Sequence, residues 1–258
     1  MMVYTNEIIL NMFDSRLYNY YYKMKGVVLA GGLGTRLRPL TLVTNKHLLP
    51  VYDKPMIFYP IQTLVNARIT EVLVVAGGPF VGHFMGVLKN GKELGLKHLE
   101  YAYQEGEGGI SAALRLAEDF VDGDSVTVIL GDNCTDANIK KDVKNFKKGA
   151  LIFFKEVTDP QRFGVAKFDK SGNIRGIIEK PKKPPSNLAQ TGLYIYDNTV
   201  FDKIRKLKPS KRGELEITDL NNLYLEEGTF KHAILDGFWK DAGTFDTLLD
   251  VNKYWRNR

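Results

Sequence analysis

Gly26-Val27-Val28-Leu29-Ala30-Gly31-Gly32-Leu33-Gly34-Thr35-Arg36-Leu37-Arg38 is the stretch on which the reading of this chain turns. A short apolar run breaks into a glycine-rich turn that ends in two arginines. Val/Leu-rich runs bounded by glycine read as buried strands, so the turn leaves the carboxyl end of a strand. Ligands of open parallel sheets bind at that edge. Glycines let the backbone approach a ligand and offer N–H groups to phosphate oxygens; Arg36 and Lys46 add full positive charge. The spacing is not that of a Walker loop, and Leu37 stands where a dinucleotide fingerprint has its third glycine. By itself the turn also fits a tight strand-to-helix connection with surface arginines.

Outward from this loop, strands and helices alternate. Strands are expected at Gly26 to Ala30, Glu71 to Ala76, Leu99 to Gln104 and Ser125 to Leu130, with helices at Pro60 to Ala67 and Ser111 to Phe120. This rhythm predicts an α/β fold with a Rossmann-like, mostly parallel sheet flanked by helices. The loops at Gly31 to Arg36, Gln104 to Gly109 and Asp132 then share one edge. The second half is more antiparallel. Strands are expected at Ala150 to Val157, Gly164 to Phe168, Ile174 to Ile178, Gly192 to Tyr196 and Phe230 to Leu235. Helices are expected near Thr199 to Leu207, over Ile217 to Glu226 and at the C-terminus. Residues 1–23, crowded with Asn, Tyr and Met, read as an extension, disordered or preceding the true start at Met24. Residues 24–258 read as one domain, with a mostly parallel half to about residue 149 and a smaller, more antiparallel half from about 150.

At 258 residues, 44% hydrophobic and 26% charged, the chain can bury a substantial core. Its net charge of +6 permits an anionic ligand. The lysine run from Lys140 to Lys148 lacks interleaved aromatics and reads as a solvated helical face, not a nucleic-acid surface. One cysteine, Cys134, excludes an intrachain disulfide and fits a reducing, cytoplasmic setting. No stretch is long and apolar enough to span a bilayer. The four histidines show no metal-ligand spacing and read as packing or surface residues.

Asp132 follows the apolar run Val126 to Leu130, and Asp241 lies in Trp239-Lys240-Asp241-Ala242-Gly243-Thr244. Each alone reads as a turn or cap residue. Converging on a phosphate loop, two carboxylates are a means of holding Mg²⁺, which takes oxygen ligands and keeps water and phosphate in its shell. Glu179-Lys180-Pro181 presents an acid and a base beside the sheet edge, or a surface ion pair. Arg212, just before a helix start rich in acids, is an unfavourable cation for that helix end and hints at an anionic partner.

Six ordered motifs carry a resemblance: Leu29 to Leu37, Lys46-His47-Leu48-Leu49-Pro50 to Met56, Leu130-Gly131-Asp132-Asn133, Glu179-Lys180-Pro181, Thr191-Gly192-Leu193-Tyr194 and Arg212 to Asp219. Together the chain from Lys25 to Asn252 resembles the sugar-phosphate nucleotidylyltransferases, nearest to the branch that uses dTTP and glucose 1-phosphate. The resemblance implies Mg²⁺-dependent nucleotidyl transfer, dTDP-glucose and pyrophosphate as products, and a homo-oligomer. It implies that Gly31, Gly32, Gly34, Thr35, Arg36 and Lys46 hold the triphosphate, and that Gln104 and Gly109 meet the base. It implies a nucleotide-binding half to about residue 149 and a sugar-phosphate-binding half from about 150, with Gly164, Glu179 and Gly192 lining the sugar and Lys180 and Arg212 holding its phosphate. It further implies Asp132 and Asp241 as the metal ligands and Arg36, Lys46 and Lys180 as the catalytic cations. His47 stands where the pattern has Gln, and the loop Glu105-Gly106-Glu107-Gly108 lacks prolines, which keeps UTP open as the nucleotide. A non-catalytic nucleotide-sugar sensor is the alternative from another class. The chain ends soon after its last expected helix, leaving feedback at a second site open.

Overall fold

The structure, a computed structural model, describes residues 24–258; the expected extension, residues 1–23, lies outside the described residues. In the first half, strands β1 (Met24–Ala30), β4 (Glu71–Gly77), β5 (His98–Gln104) and β6 (Ser125–Leu130) alternate with helices α1 (Phe58–Asn66), α2 (Val81–Leu88), α3 (Ile110–Arg115) and α4 (Glu118–Val121). A two-residue hairpin, β2 (Pro50–Val51) with β3 (Lys54–Pro55), sits in the first connection. β1 pairs in parallel with β4 on one side and β6 on the other, and β4 pairs in parallel with β5. The carboxyl ends of all four therefore lie on one edge, as the β–α rhythm predicts.

Alternation along each strand divides the core into two layers. Val27, Leu29, Leu73 and Val75 face one layer, covered by α3, α4, α6 (Val200–Lys206) and α7 (Ile217–Glu226). Val28, Ala30, Val72, Val74 and Ala76 face the other, covered by α1 and α2. Both faces are buried, so these strands read as continuous apolar runs and not as polar–apolar alternation. The helix expected over Ser111 to Phe120 is two short helices, with Leu116 and Ala117 between them. Leu114, Ala117 and Phe120 still reach the core, so burial is preserved although the ladder is broken.

The second half contributes β7 (Asn133–Thr135), α5 (Lys140–Asn145), β8 (Ala150–Glu156), β9 (Gly164–Phe168), β10 (Ile174–Glu179) and β11 (Leu188–Tyr196). β12 (Phe230–Ile234), β13 (Trp239–Asp241) and α8 (Phe245–Arg256) complete it. β9 and β10 form the expected antiparallel hairpin. β11 starts four residues earlier than the sequence indicates, because its two ends have different neighbours. Leu193–Tyr196 pair with β6, whereas Ala189 pairs with Val165 of β9. On its other side β11 pairs with β8, which is itself parallel to β12. One sheet thus runs through both halves. A separate ribbon, β13 against β7, sets Asp241 opposite Asn133.

Candidate active site

The loop after β1 folds under steric control. Gly34 has φ 65°, and a Cβ there would stand 2.8 Å from Lys46 Cβ. Its carbonyl accepts a hydrogen bond from Thr41 Oγ1 at 2.9 Å. A Cβ on Gly31 would lie 2.0 Å from Gln104 Oε1, so only glycine lets the β5 amide lie across the loop. The next wall is the loop after β5. Leu215 N donates to Gly108 O at 2.9 Å and Ser111 N to Leu215 O at 3.2 Å, tying that loop to the residues before α7.

A cavity of two lobes opens at this edge. One lobe, about 340 Å³, is lined by Gly31, Gly32, Lys46, His47, Gln104 and Gly109. The other, about 260 Å³, is lined by Gly164, Glu179, Lys180, Gly192, Arg162 and Asp241. Arg36, Ile110, Leu130 and Asp132 line both, so the lobes meet at one cation and one carboxylate. Gly34 and Thr35 shape the turn but do not line the cavity.

Asp132 is 8% exposed, between β6 and β7. Burial disfavours its charge, but the Lys46 ammonium, 2.5 Å from Oδ2, outweighs this. Asn133 Nδ2 also donates to Oδ1 at 3.1 Å, and the carboxyl is held well below the usual range. His47 is buried, and burial followed by the neighbouring Lys46 charge pushes it down to about 3, so it is neutral. Its tautomer is fixed. Asn45 Oδ1 accepts from the His47 backbone N–H at 3.0 Å, which makes that atom the amide oxygen, and His47 Nδ1 must donate to it at 2.7 Å.

Asp241 ends β13, and burial together with the Asp132 charge pushes it up to about 6. Neither acid is a helix cap: α8 is capped by Thr244, in a reciprocal box with Thr247. Two carboxylates on one cavity, one of them pushed up by the other's charge, fit a bound divalent cation. The all-oxygen pair suits Mg²⁺, which takes few protein ligands beside water and phosphate. Among the described residues no group of three or more acidic, His or Cys side chains forms a fuller metal cage.

Lys180 has φ 42°, with its N–H donating to Phe163 O at 2.9 Å, and its ammonium is 3.7 Å from Glu179 Oε1. Glu179 Oε2 accepts from Thr218 Oγ1 at 2.6 Å, and Thr218 in turn accepts from Gln190 Nε2 at 2.7 Å. Gly164 faces that same pair, and a Cβ there would be 2.3 Å from Gln190 Nε2. Arg212 departs from the expectation of a cation free for an anionic partner. It does not line either lobe; its Nη2 lies 2.7 Å from Glu216, 3.3 Å from Glu214 and 3.6 Å from Glu179. The acids of the α7 approach neutralise it.

Arg162 escaped the sequence reading, and Asn133 entered it only as part of a motif, without its role. Arg162 bridges Asp241 and Asp159, each at 2.7 Å. Asn133 Oδ1 accepts from both Gly192 N at 2.9 Å and Trp239 Nε1 at 2.7 Å, joining β7, β11 and β13. Apart from Asp159, three residues from Arg162, these partners are 59 to 106 residues away.

A nucleotide-sized lobe at a glycine loop, joined through a shared cation and carboxylate to a second polar lobe, is the layout of a group-transfer enzyme. The chain belongs to the nucleotidyl transferase family, whose model matches residues 25–258. It is 44% identical over 237 residues to a glucose-1-phosphate thymidylyltransferase of Neisseria gonorrhoeae, covering 90% of this chain and 82% of that one. A glucose-1-phosphate thymidylyltransferase of Mycolicibacterium smegmatis is 42% identical over 238 residues, with 90% and 82% covered. A crystal structure from Bacillus anthracis, described as a candidate glucose-1-phosphate thymidylyltransferase in complex with sucrose, superimposes with a TM-score of 0.86. The two are 45% identical, and the match covers 92% of this chain and 96% of that one. Among the described residues no helix is long and apolar enough to cross a membrane.

Proposed function

We propose that the protein transfers a nucleoside monophosphate from dTTP to α-D-glucose 1-phosphate, forming dTDP-glucose and releasing pyrophosphate. The observation that carries this reading is the two-lobed cavity whose lobes meet at Arg36 and Asp132. The names of the relatives support the choice of substrates. In this reading Gln104 offers its amide to the base edge beside Gly109, while Gly31, Gly32, Arg36 and Lys46 hold the phosphates. Glu179 accepts hydroxyl hydrogen bonds from the sugar between Gly164 and Gly192, and Lys180 holds the sugar phosphate. Mg²⁺, held by Asp132 and Asp241, would neutralise charge on the triphosphate.

The sugar phosphate is ionised at neutral pH and is itself the nucleophile, so no general base is required. Neutral His47, with Nδ1 already donating to Asn45, is not needed as one. The barrier is repulsion between two anions, and the cations at the junction reduce it while fixing the attacking oxygen in line with the leaving pyrophosphate. Fixing two reactants in this way contributes roughly 7–11 kcal/mol.

A pyrophosphate-release screen of dTTP, UTP, ATP, GTP and CTP against sugar 1-phosphates tests the reading. The highest kcat/KM is expected for dTTP with glucose 1-phosphate. Preference for UTP would overturn the base assignment, and no release with any pair would favour a non-catalytic sensor.

A further inference from the structure

Asp132, at the junction of the lobes, and Asp241, in the second lobe, each have one oxygen taken by a cation. Lys46 Nζ is 2.5 Å from Asp132 Oδ2, and Arg162 Nη2 is 2.7 Å from Asp241 Oδ2. The two counter-ions are not equivalent. Lys46 lines the phosphate-loop lobe on a flexible stem and is tethered through its ammonium to Asp132, so an arriving triphosphate can draw it away. Arg162 is pinned at both ends of its planar fork. Nη1 holds Asp159 Oδ2 at 2.7 Å, and Asp159 opens the short turn Pro160–Arg162 that carries the arginine. Its guanidinium also lies 5.2 Å from the Phe163 ring centre. It lines the second lobe and a cavity behind it, but not the phosphate-loop lobe. A triphosphate in the first lobe therefore has no direct means of releasing it.

We infer that Arg162 is a positioning residue that leaves Asp241 a single oxygen for a divalent cation and, with Lys46 on Asp132, makes cation binding conditional on nucleotide. This rests on the proposed use of Asp132 and Asp241 as the metal-binding pair. Without nucleotide, a cation meets two carboxylates already neutralised by Lys46 and Arg162, with Arg36 beside them: Arg36 Nη2 and Asp241 Oδ2 both approach Gly243. With the triphosphate bound, Lys46 moves to phosphate oxygens, Asp132 is freed, and phosphate adds further ligands. Asp241 keeps its orientation because its arginine does not move. Asp132 and Asp241 would then hold a divalent cation only while nucleotide or pyrophosphate supplies further oxygen ligands.

The test is Mn²⁺ binding to the full chain at pH 8, read by the paramagnetic resonance of free Mn²⁺, with and without dTTP and with no sugar phosphate present. The wild type is expected to bind Mn²⁺ at least tenfold more weakly without dTTP than with it. Arg162→Gln should tighten nucleotide-free Mn²⁺ binding at least tenfold while changing the metal-free Kd for dTTP less than twofold. Arg162→Lys, which keeps the charge and loses the fork, should restore weak nucleotide-free binding but not the wild-type kcat. Asp159→Asn, a milder change that leaves Arg162 on Asp241, covers the case in which Arg162→Gln does not fold, and should lower kcat while keeping nucleotide-free binding weak. Tight Mn²⁺ binding by the empty wild type, or unchanged binding in folded Arg162→Gln, overturns the proposal. So does wild-type kcat in Asp159→Asn. These binding readouts need no turnover, so loss of the substrate assignment in the pyrophosphate screen is a separate result.

Discussion

At the scale of single residues, His47 and Asp241 respond to pH in opposite directions. Burial, and then the Lys46 charge, holds His47 down to about 3, so its contribution to stability is complete above the unfolded value and is lost as pH falls below it. Between about pH 7 and about pH 5 that loss is about 2 kcal/mol. Burial and Asp132 raise Asp241 to about 6, so the folded state favours its proton and stability falls as pH rises through that region. From about pH 5 to about pH 7 this second loss is about 1 kcal/mol. Urea unfolding of metal-free protein across this range should therefore show a reversed slope in His47→Gln and a steeper one in Asp241→Asn. Parallel slopes in the two variants and the wild type would show that neither group titrates as described. Only part of this was visible in the sequence. Asp132 declared itself by closely following the largely apolar run Val126 to Leu130, whereas His47 read as a packing or surface residue because nothing local shows that its ring edges a cavity.

At the scale of elements, the ribbon of β7 and β13 holds the two carboxylates to a common register through Asn133. Its oxygen satisfies two buried donors, Gly192 N–H and the Trp239 indole. Asn133→Ala strands both and should cost about 2–4 kcal/mol, with a fall in kcat larger than any change in KM. Gly192→Ala places a Cβ 2.6 Å from Leu130 Cγ and 2.7 Å from both polar atoms of the Asn133 amide, so it presses on the same joint and should cost about 1–3 kcal/mol. Thermal melts and steady-state kinetics check the assignment: wild-type kcat in folded Asn133→Ala would dismiss the register role. The long elements were legible because their apolar periods persist, as in Ser125–Leu130 and Ile217–Glu226. The ribbon was not, since three residues per strand are too few for a period, and Trp239-Lys240-Asp241 has the composition of a turn.

For the molecule as a whole, a net charge of +6 and a cavity bordered by Arg36, Lys46, Arg162 and Lys180 favour encounter with polyanions. Raising salt from about 20 to about 300 mM should lower kcat/KM for the nucleotide several-fold and leave kcat nearly unchanged, as screening acts on approach more than on bound contacts. A salt-independent kcat/KM would show that net charge plays no part in capture. Burial on both faces made the parallel half of the sheet readable, but the shared strand that joins the halves was not, because Leu188 to Thr191 lacks the apolar density of Gly192 to Tyr196. That strand has a mechanical consequence. Leu193 belongs to the β6 ladder and Ala189 to the β9 ladder, so both lobes are gauged from one continuous backbone. Against β8 the register of this strand shifts between Gln190 and Tyr194, so the backbone between the two anchor points is bulged and not fully extended. The two lobes thus share one strand with an irregularity at its middle, and that irregularity sets Gly192 at the wall of the second lobe.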